Sequence, residues 1–259
     1  MVRTSLARAA RRPTISFPGG VAIPDWRAVT SPSAQDALRA VFRAFIGPNW
    51  GGMDEGEDQV RRAVLQGYVE SGRAPTPTEI AAIAGLSSHE VASALQRLAS
   101  RDLATLDSAG RVSGAYPFTD APTEHCVETS GVSANVMCAI DVLGIGAMLE
   151  RDCRVRSACR HCRRTLRIDV GDRGRQIRVV EPAAILVWSG GNYADGCAAS
   201  SLCTLQALFC GDDHLSAWLA IGPIRVQDGV RLSLPEALEV SRAIFAPMRM
   251  ELRTCPSTT

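Results

Sequence analysis

A chain of 259 residues with 46% hydrophobic content can bury a substantial core, which sets disorder aside and suits one large domain or two smaller ones. The formal charge is only +1, and no apolar run approaches the roughly 20 residues that span a bilayer, so neither nucleic acid nor a membrane is expected as a partner. All 28 basic residues are arginines, and the missing lysine excludes a Schiff-base nucleophile, a pyridoxal-phosphate anchor, a P-loop lysine and a kinase lysine.

Residues 1–52 read as an N-terminal arm or extension rich in Arg, Pro and Gly. Arg3, Arg8, Arg11 and Arg12 crowd its start, but no apolar segment follows before Pro18, Gly19 and Gly20, so a basic tail is expected rather than an export signal. In SAQDALRAVFRAFI, Ala37, Leu38, Val41, Phe42 and Ile46 mark the apolar stripe of a helix.

Residues 53–118 have the order of a winged-helix-like domain. A helix through VRRAVLQGYVES stops at Gly72, a residue suited to a C-cap. Thr76 with Glu79 and Ser87 with Glu90 are capping boxes that open two more helices, with Pro77 at the first helical position of the earlier one. LATLDSAGRVSGAY then reads as a hairpin turning at Ser108 to Gly110. A DNA reader of this kind needs several basic residues on its second helix and wing, yet these offer only Arg97 and Arg111, so the module is expected to cover a neighbouring domain.

Residues 119–259 are Cys-rich and mixed. NVMCAIDVLGIGAM, residues 135–148, reads as a buried helix. Strand-like RQIRVV and AAILVW follow, then the Gly-rich loop SGGNYADG. ASSLCTLQALFC is expected to be a helix with Cys203 and Cys210 on nearly one face, and SLPEALEVSRAIFAPM a last amphipathic helix. Strands and helices do not alternate regularly, so the fold class expected is α+β, a winged-helix-like helical module followed by a mixed core. Ten arginines between Arg151 and Arg178 face only Asp152, Asp169 and Asp172 in that stretch, a local positive patch. Without accompanying exposed aromatics for base stacking it is expected to be a solvated strand-and-turn surface.

Nine cysteines, none before Cys126, are an odd number in a chain with no export signal. A reducing cytoplasm and free, metal-binding or redox thiols are expected over structural disulfides. Cys138 and Asp141 stand three apart on one helix face, and a carboxyl amid Met, Ile, Val and Leu is desolvated, which raises its pKa and suits it to donate a proton near neutrality. A cysteine hydrolase needs a histidine beside its thiol, but His89, His125, His161 and His214 stand at no family-like spacing, and G-x-S-x-G, H-E-x-x-H and Walker motifs are absent. CRVRSACRHC supplies Cys153, Cys159, His161 and Cys162. It lacks the second C-x-x-C or H-x-x-x-H that would close a tetrahedron, so a structural zinc is not expected there.

The run GRAPTPTEIAAIAGLSSHEVASALQRL, the hairpin, MCAIDVL, SACRHC and SLCTLQALF, in this order, resembles the alkylmercury lyase family over roughly residues 56–250. The resemblance implies a winged-helix-like region before a catalytic core, Cys138 and Asp141 as the Cys-x-x-Asp motif, Cys203 as the second cysteine, and Cys159 at a further, non-catalytic position. Where the family commonly shows a vicinal cysteine pair, Thr204 follows Cys203. The activity implied is protonolysis of a carbon–mercury bond, with catalytic Cys138, Asp141 and Cys203 also contacting the metal. It needs no organic cofactor, holds Hg²⁺ as bound product, consumes free thiols as co-substrate, and passes Hg²⁺ to cellular thiols or a mercuric reductase. Soft sulfur suits a soft metal, and a desolvated acid suits a leaving carbanion. The alternatives are a family member with other lyase or sulfur chemistry, and a winged-helix soft-metal sensor or metallochaperone, which would have no need of the acid.

Overall fold

The computed structural model describes residues 12–250; Arg3, Arg8, Arg11 and Cys255 lie outside the described residues. A hairpin of β1 (Ile15–Phe17) and β2 (Val21–Ile23) leads to α1 (Pro32–Val41), which runs through a π-helical turn, Phe42–Ile46, into the short α2 (Gly47–Asn49). Next come α3 (Glu55–Ser71), α4 (Pro77–Ala84) and α5 (Ser88–Ser100). Asp54, Thr76 and Ser87 cap them with reciprocal Glu side chains, and Gly72 and Gly85, both left-handed, end the first two. These stops and starts are written in adjacent residues, and they form as the sequence predicts.

The strands β3 (Ala104–Leu106), β4 (Val112–Ala115), β5 (Phe118–Thr119), β6 (His125–Thr129) and β7 (Val132–Val136) precede α6 (Ala139–Leu149). After it come β8 (Cys153–Ala158), β9 (Thr165–Gly171), β10 (Gln176–Glu181), β11 (Leu186–Gly190), β12 (Gln206–Phe209), α7 (Asp212–Ile221), β13 (Gly229–Ser233) and α8 (Leu234–Phe245). One antiparallel sheet has the order β10-β9-β8-β6-β7-β5-β4-β3, so the hairpin β3–β4 continues the core sheet; a second sheet has the order β12-β11-β13. The fold is mixed α+β. Among the described residues no helix is long and apolar enough to cross a membrane.

Every residue of α6 is buried, as a helix apolar on all sides must be. It lies against α8 and against β6, β8 and β9 of the large sheet. Two glycines permit this: a Cβ on Gly144 would enter the Phe245 ring of α8, and one on Gly146 would press on Gly174 and Arg151. α8 in turn packs on α1, so Pro32–Val41 sit directly over the core.

The expected helix across residues 199–210 does not form. A 3-10 turn, Cys203–Leu205, leads into β12, which pairs with β11 from Ser189↔Gln206 to Leu186↔Phe209. All four β12 residues are buried, so burial covers both faces and the run has no period that distinguishes strand from helix. Cys203 and Cys210 therefore share no helix face.

The arginine-rich stretch is matched by acids from elsewhere in the chain. Arg160 and Arg163 pair with Glu124, Arg154 and Arg156 with Glu128, Arg175 with Glu150, and Arg167 with Asp169 and Glu181. The patch is a salt-bridged strand surface rather than an open positive field.

The Gly144–Phe245 contact is directly testable. Gly144→Ala should overpack the α6–α8 interface and destabilise the chain by about 1–3 kcal/mol. The urea midpoint should fall while the slope of the transition is retained.

Candidate active site

The first turn of α6 places both groups of the Cys-x-x-Asp motif. Cys138 is the N-cap, with extended backbone, and its Sγ accepts the Asp141 backbone N–H at 3.4 Å. The sulfur thus stands where a Ser or Thr oxygen caps most helices. Cys203 arrives on the 3-10 turn before β12, and its thiol, the Cys138 thiol and an Asp141 carboxylate oxygen lie within 4.8 Å of one another. The structure thus brings together all three residues singled out in the sequence, 3%, 7% and 5% exposed in chain order. No histidine joins them: His125 is buried with Nδ1 2.8 Å from Ser157 Oγ, and His214 lies beside Cys159.

The cluster lines a cleft with about 360 Å³ of non-atom space, walled by Phe45, Trp50, Tyr116, Ile140, Leu202 and Phe245. Phe45 packs against both Trp50 and Tyr116, with ring centroids 5.2 and 5.4 Å away. The Tyr116 hydroxyl lies 3.7 Å from Cys203 Sγ. Tyr116 and the wall of Phe45 and Trp50 have no signal in the sequence, because they approach the thiols only through tertiary packing.

Burial sets the protonation of the site. Asp141 is pushed up to about 7 by desolvation, with a Cys138 hydrogen bond working the other way. Its Oδ2 is buried without a partner. Cys138 is raised well above the usual thiol range by burial, then by its hydrogen bond to Cys203 and the Asp141 charge. For Cys203 the hydrogen bond from Cys138 lowers the pKa, but burial and the Asp141 charge outweigh it and the net direction is up. Near neutral pH the two thiols therefore stay neutral, and the carboxyl group stands near its midpoint.

A second buried acid secures the Cys203 turn. Asp102 Oδ2 accepts the Ala198 N–H at 2.6 Å, and the Ala198 carbonyl accepts the Cys203 N–H at 2.7 Å. Burial pushes Asp102 up to about 6, against the Ala198 and Tyr193 hydrogen bonds.

A carboxyl whose folded pKa, about 7, exceeds its ordinary 3.8 binds more protons folded than unfolded between those values, so its contribution to stability falls as pH rises through that window. Asp141→Asn removes the ionisation. The variant should gain stability relative to the parent by an amount that is larger at pH 8 than at pH 5, on the order of a few kcal/mol at the higher pH. Paired urea titrations at the two pH values check this; a pH-independent difference would place Asp141 at an ordinary pKa.

Residues 118–246 match the family described as MerB, alkylmercury lyase. An alkylmercury lyase of Streptomyces lividans is 28% identical over 206 residues, covering 78% of this chain and 91% of that one. An alkylmercury lyase of Staphylococcus epidermidis is 28% identical over 180 residues, covering 66% and 76%. In fold, the chain resembles the mercury-bound form of MerB2, with a TM-score of 0.63 and 17% identity over 82% of this chain and 97% of that one. Through residues 118–246, which hold Cys138, Asp141 and Cys203, the chain belongs to the alkylmercury lyase family.

Proposed function

We propose that the chain is an organomercurial lyase that cleaves R–Hg⁺ to R–H and Hg²⁺, with Cys138 and Cys203 as mercury ligands and Asp141 as proton donor. The observation that carries this reading is the pair of buried thiols sharing an apolar cleft with a carboxyl group whose Oδ2 has no other partner. A site that only stores or senses a soft metal gains nothing from a desolvated acid, so the sensor and metallochaperone readings leave Asp141 unexplained.

The substrate's mercury displaces the proton of one thiol, and that proton passes to Asp141 or leaves with the displaced counter-ligand. The second thiol coordinates in the same way, which builds electron density on the carbon bound to mercury. The C–Hg bond then breaks with its electron pair on carbon, the carbon takes the proton from Asp141, and Hg²⁺ remains as the bis-thiolate product. Two thiol protons enter this sequence; one ends on the hydrocarbon and one in solvent. Soft sulfur holds the soft metal, and the dry cleft keeps the acid protonated close to neutral pH.

Cys203 also borders a second cleft, with Thr204, Arg160, His125 and Glu124 around it. We read this as the side from which solution thiols, or a mercuric reductase, take the product. The eight described cysteines are all unpaired, which suits a reducing cytoplasmic setting. Residues 53–118 are read as a winged-helix-like cover rather than a nucleic-acid reader. Arg97 is paired with Asp54 and Glu57 and Arg111 with Asp107, and the hairpin is committed to the core sheet.

The test uses phenylmercury and excess thiol with benzene release as the readout. Cys203→Ser should lose cleavage and Hg²⁺ retention together. Asp141→Asn should cleave slower by roughly 10²-fold or more, the scale of a lost general acid, while mass spectrometry shows a persisting R–Hg adduct. Parent-rate cleavage by the Asn variant would remove Asp141 from the mechanism, and an inactive parent would refute the lyase reading.

A further inference from the structure

The completing half of the C-x-x-C motif is present in the sequence after all, as Cys210-x-x-x-His214. Ligand atoms of Cys159, Cys162, Cys210 and His214 lie within 4.8 Å of one another, outside the Cys138 cluster. We propose that these four residues form a closed tetrahedral Zn²⁺ site, which clamps the β8–β9 turn to the junction of β12 and α7.

The geometry matches the ion. Zn–S bonds of about 2.3 Å at tetrahedral angles set neighbouring sulfurs about 3.8 Å apart, and a sulfur and an imidazole nitrogen slightly closer. Cys162 Sγ and Cys210 Sγ are 3.7 Å apart, and Cys159 Sγ and His214 Nδ1 are 3.7 Å apart. A disulfide would need about 2.05 Å between sulfurs, and all four groups converge where a disulfide would use two. Three thiols and an imidazole exclude calcium and magnesium, which take oxygen, and four protein ligands leave no open position for a reacting water.

The local backbone is built for the purpose. Cys159 is fully buried, and its sulfur lies 3.7 Å from His214 Nδ1. The turn between the first two ligands is closed by the Cys159 N–H to the Arg164 carbonyl at 2.9 Å and the Arg163 N–H to the Cys159 carbonyl at 2.9 Å, with Arg163 left-handed at φ 64°. Three thiolates outweigh one dication by a single negative charge, and Arg160, Arg163 and Arg164 flank the turn. The same turn grips the segment that carries Cys203. The Arg160 N–H donates to the Leu208 carbonyl at 2.9 Å, and its guanidinium to the Thr204 carbonyl at 3.0 Å. Zinc would therefore fix both ends of the short stretch between Cys203 and Cys210.

The full chain, expressed with zinc and purified without chelator or mercurial, should contain about one Zn²⁺ by elemental analysis. Co²⁺ loaded into the metal-free chain should give the intense visible bands of a tetrahedral thiolate site. Cys162→Ser, at an exposed position, should weaken zinc by more than the roughly 10–100-fold that a lost supporting group costs. The double variant Cys138→Ser, Cys203→Ser should keep the full zinc content and the same cobalt spectrum. Zinc removal should also raise hydrogen exchange across residues 203–214. Substoichiometric zinc together with a featureless cobalt titration would overturn the proposal, as would zinc that survives Cys162→Ser but disappears from the double variant. These readouts do not use lyase activity, so failure here leaves the catalytic reading intact, and failure of that reading leaves the zinc site intact.

Discussion

The start of α6 sets a sulfur where most helices set an oxygen, and the rest of the site is arranged around that substitution. A helix N-terminus offers unpaired N–H groups and a partial positive charge, both of which favour a thiolate at the cap. Here the terminus is buried in an apolar cleft, and burial outweighs the helix: Cys138 is raised well above the ordinary thiol range rather than lowered. A thiol of this kind is a poor nucleophile in the resting protein. On the proposed mechanism it becomes a thiolate when a cation arrives to take the charge, so the group that triggers deprotonation is also the group to be held. Hard, strongly hydrated ions gain too little from sulfur to repay their own desolvation in such a cleft, whereas a soft, weakly hydrated organometal loses little.

The second thiol belongs to a different part of the chain, and its place depends on long-range contacts. Asp102 ties down Ala198, Ala198 ties down Cys203, and Arg160 holds Thr204. The opposite wall comes from the N-terminal residues, through Val41, Phe45, Ile46 and Trp50. Dryness of the cleft, and with it the raised pKa of Asp141, is thus a property of three chain regions that meet only in the folded state. Val41, Phe45, Ile46 and Trp50, at the end of the stretch that the sequence presents as an extension, thus bear on the electrostatics of the site.

What was legible in the sequence was what is local. Capping boxes at Thr76 and Ser87, the glycine stop at Gly72 and the hairpin at Ser108 to Gly110 are decided by neighbouring residues and appear where expected. Cys138 and Asp141 could be paired because three positions on a helix suffice to place them together. Cys203 could not be joined to them by spacing; it entered through family resemblance. β12 reads as helix in the sequence because its burial on both faces erases the period that separates strand from helix. The arginine patch looked unpaired because Glu124, Glu128, Glu150 and Glu181 reach it from other strands and loops. Two halves of a metal-ligand set 48 residues apart were each too short to signify alone.

The stretch from Cys203 to Cys210 joins two sulfur sites with opposite requirements. The cleft around Cys138 is apolar, is offered two thiols and an acid, and on the proposed mechanism releases its metal after each turnover. The cluster around Cys159 has four ligands, a buried sulfur at Cys159 and an exposed one at Cys162, a set that holds an ion and leaves no room for substrate. A bis-thiolate site can exchange its metal because an incoming thiol can add as a further ligand before one leaves. A site already filled by four protein ligands resists that addition and exchanges slowly. The same element can therefore carry a fixed ion at one end and a transient one at the other. The fixed end supplies rigidity, in a reducing setting where disulfides would not persist, to the turn that must place Cys203 within reach of Cys138.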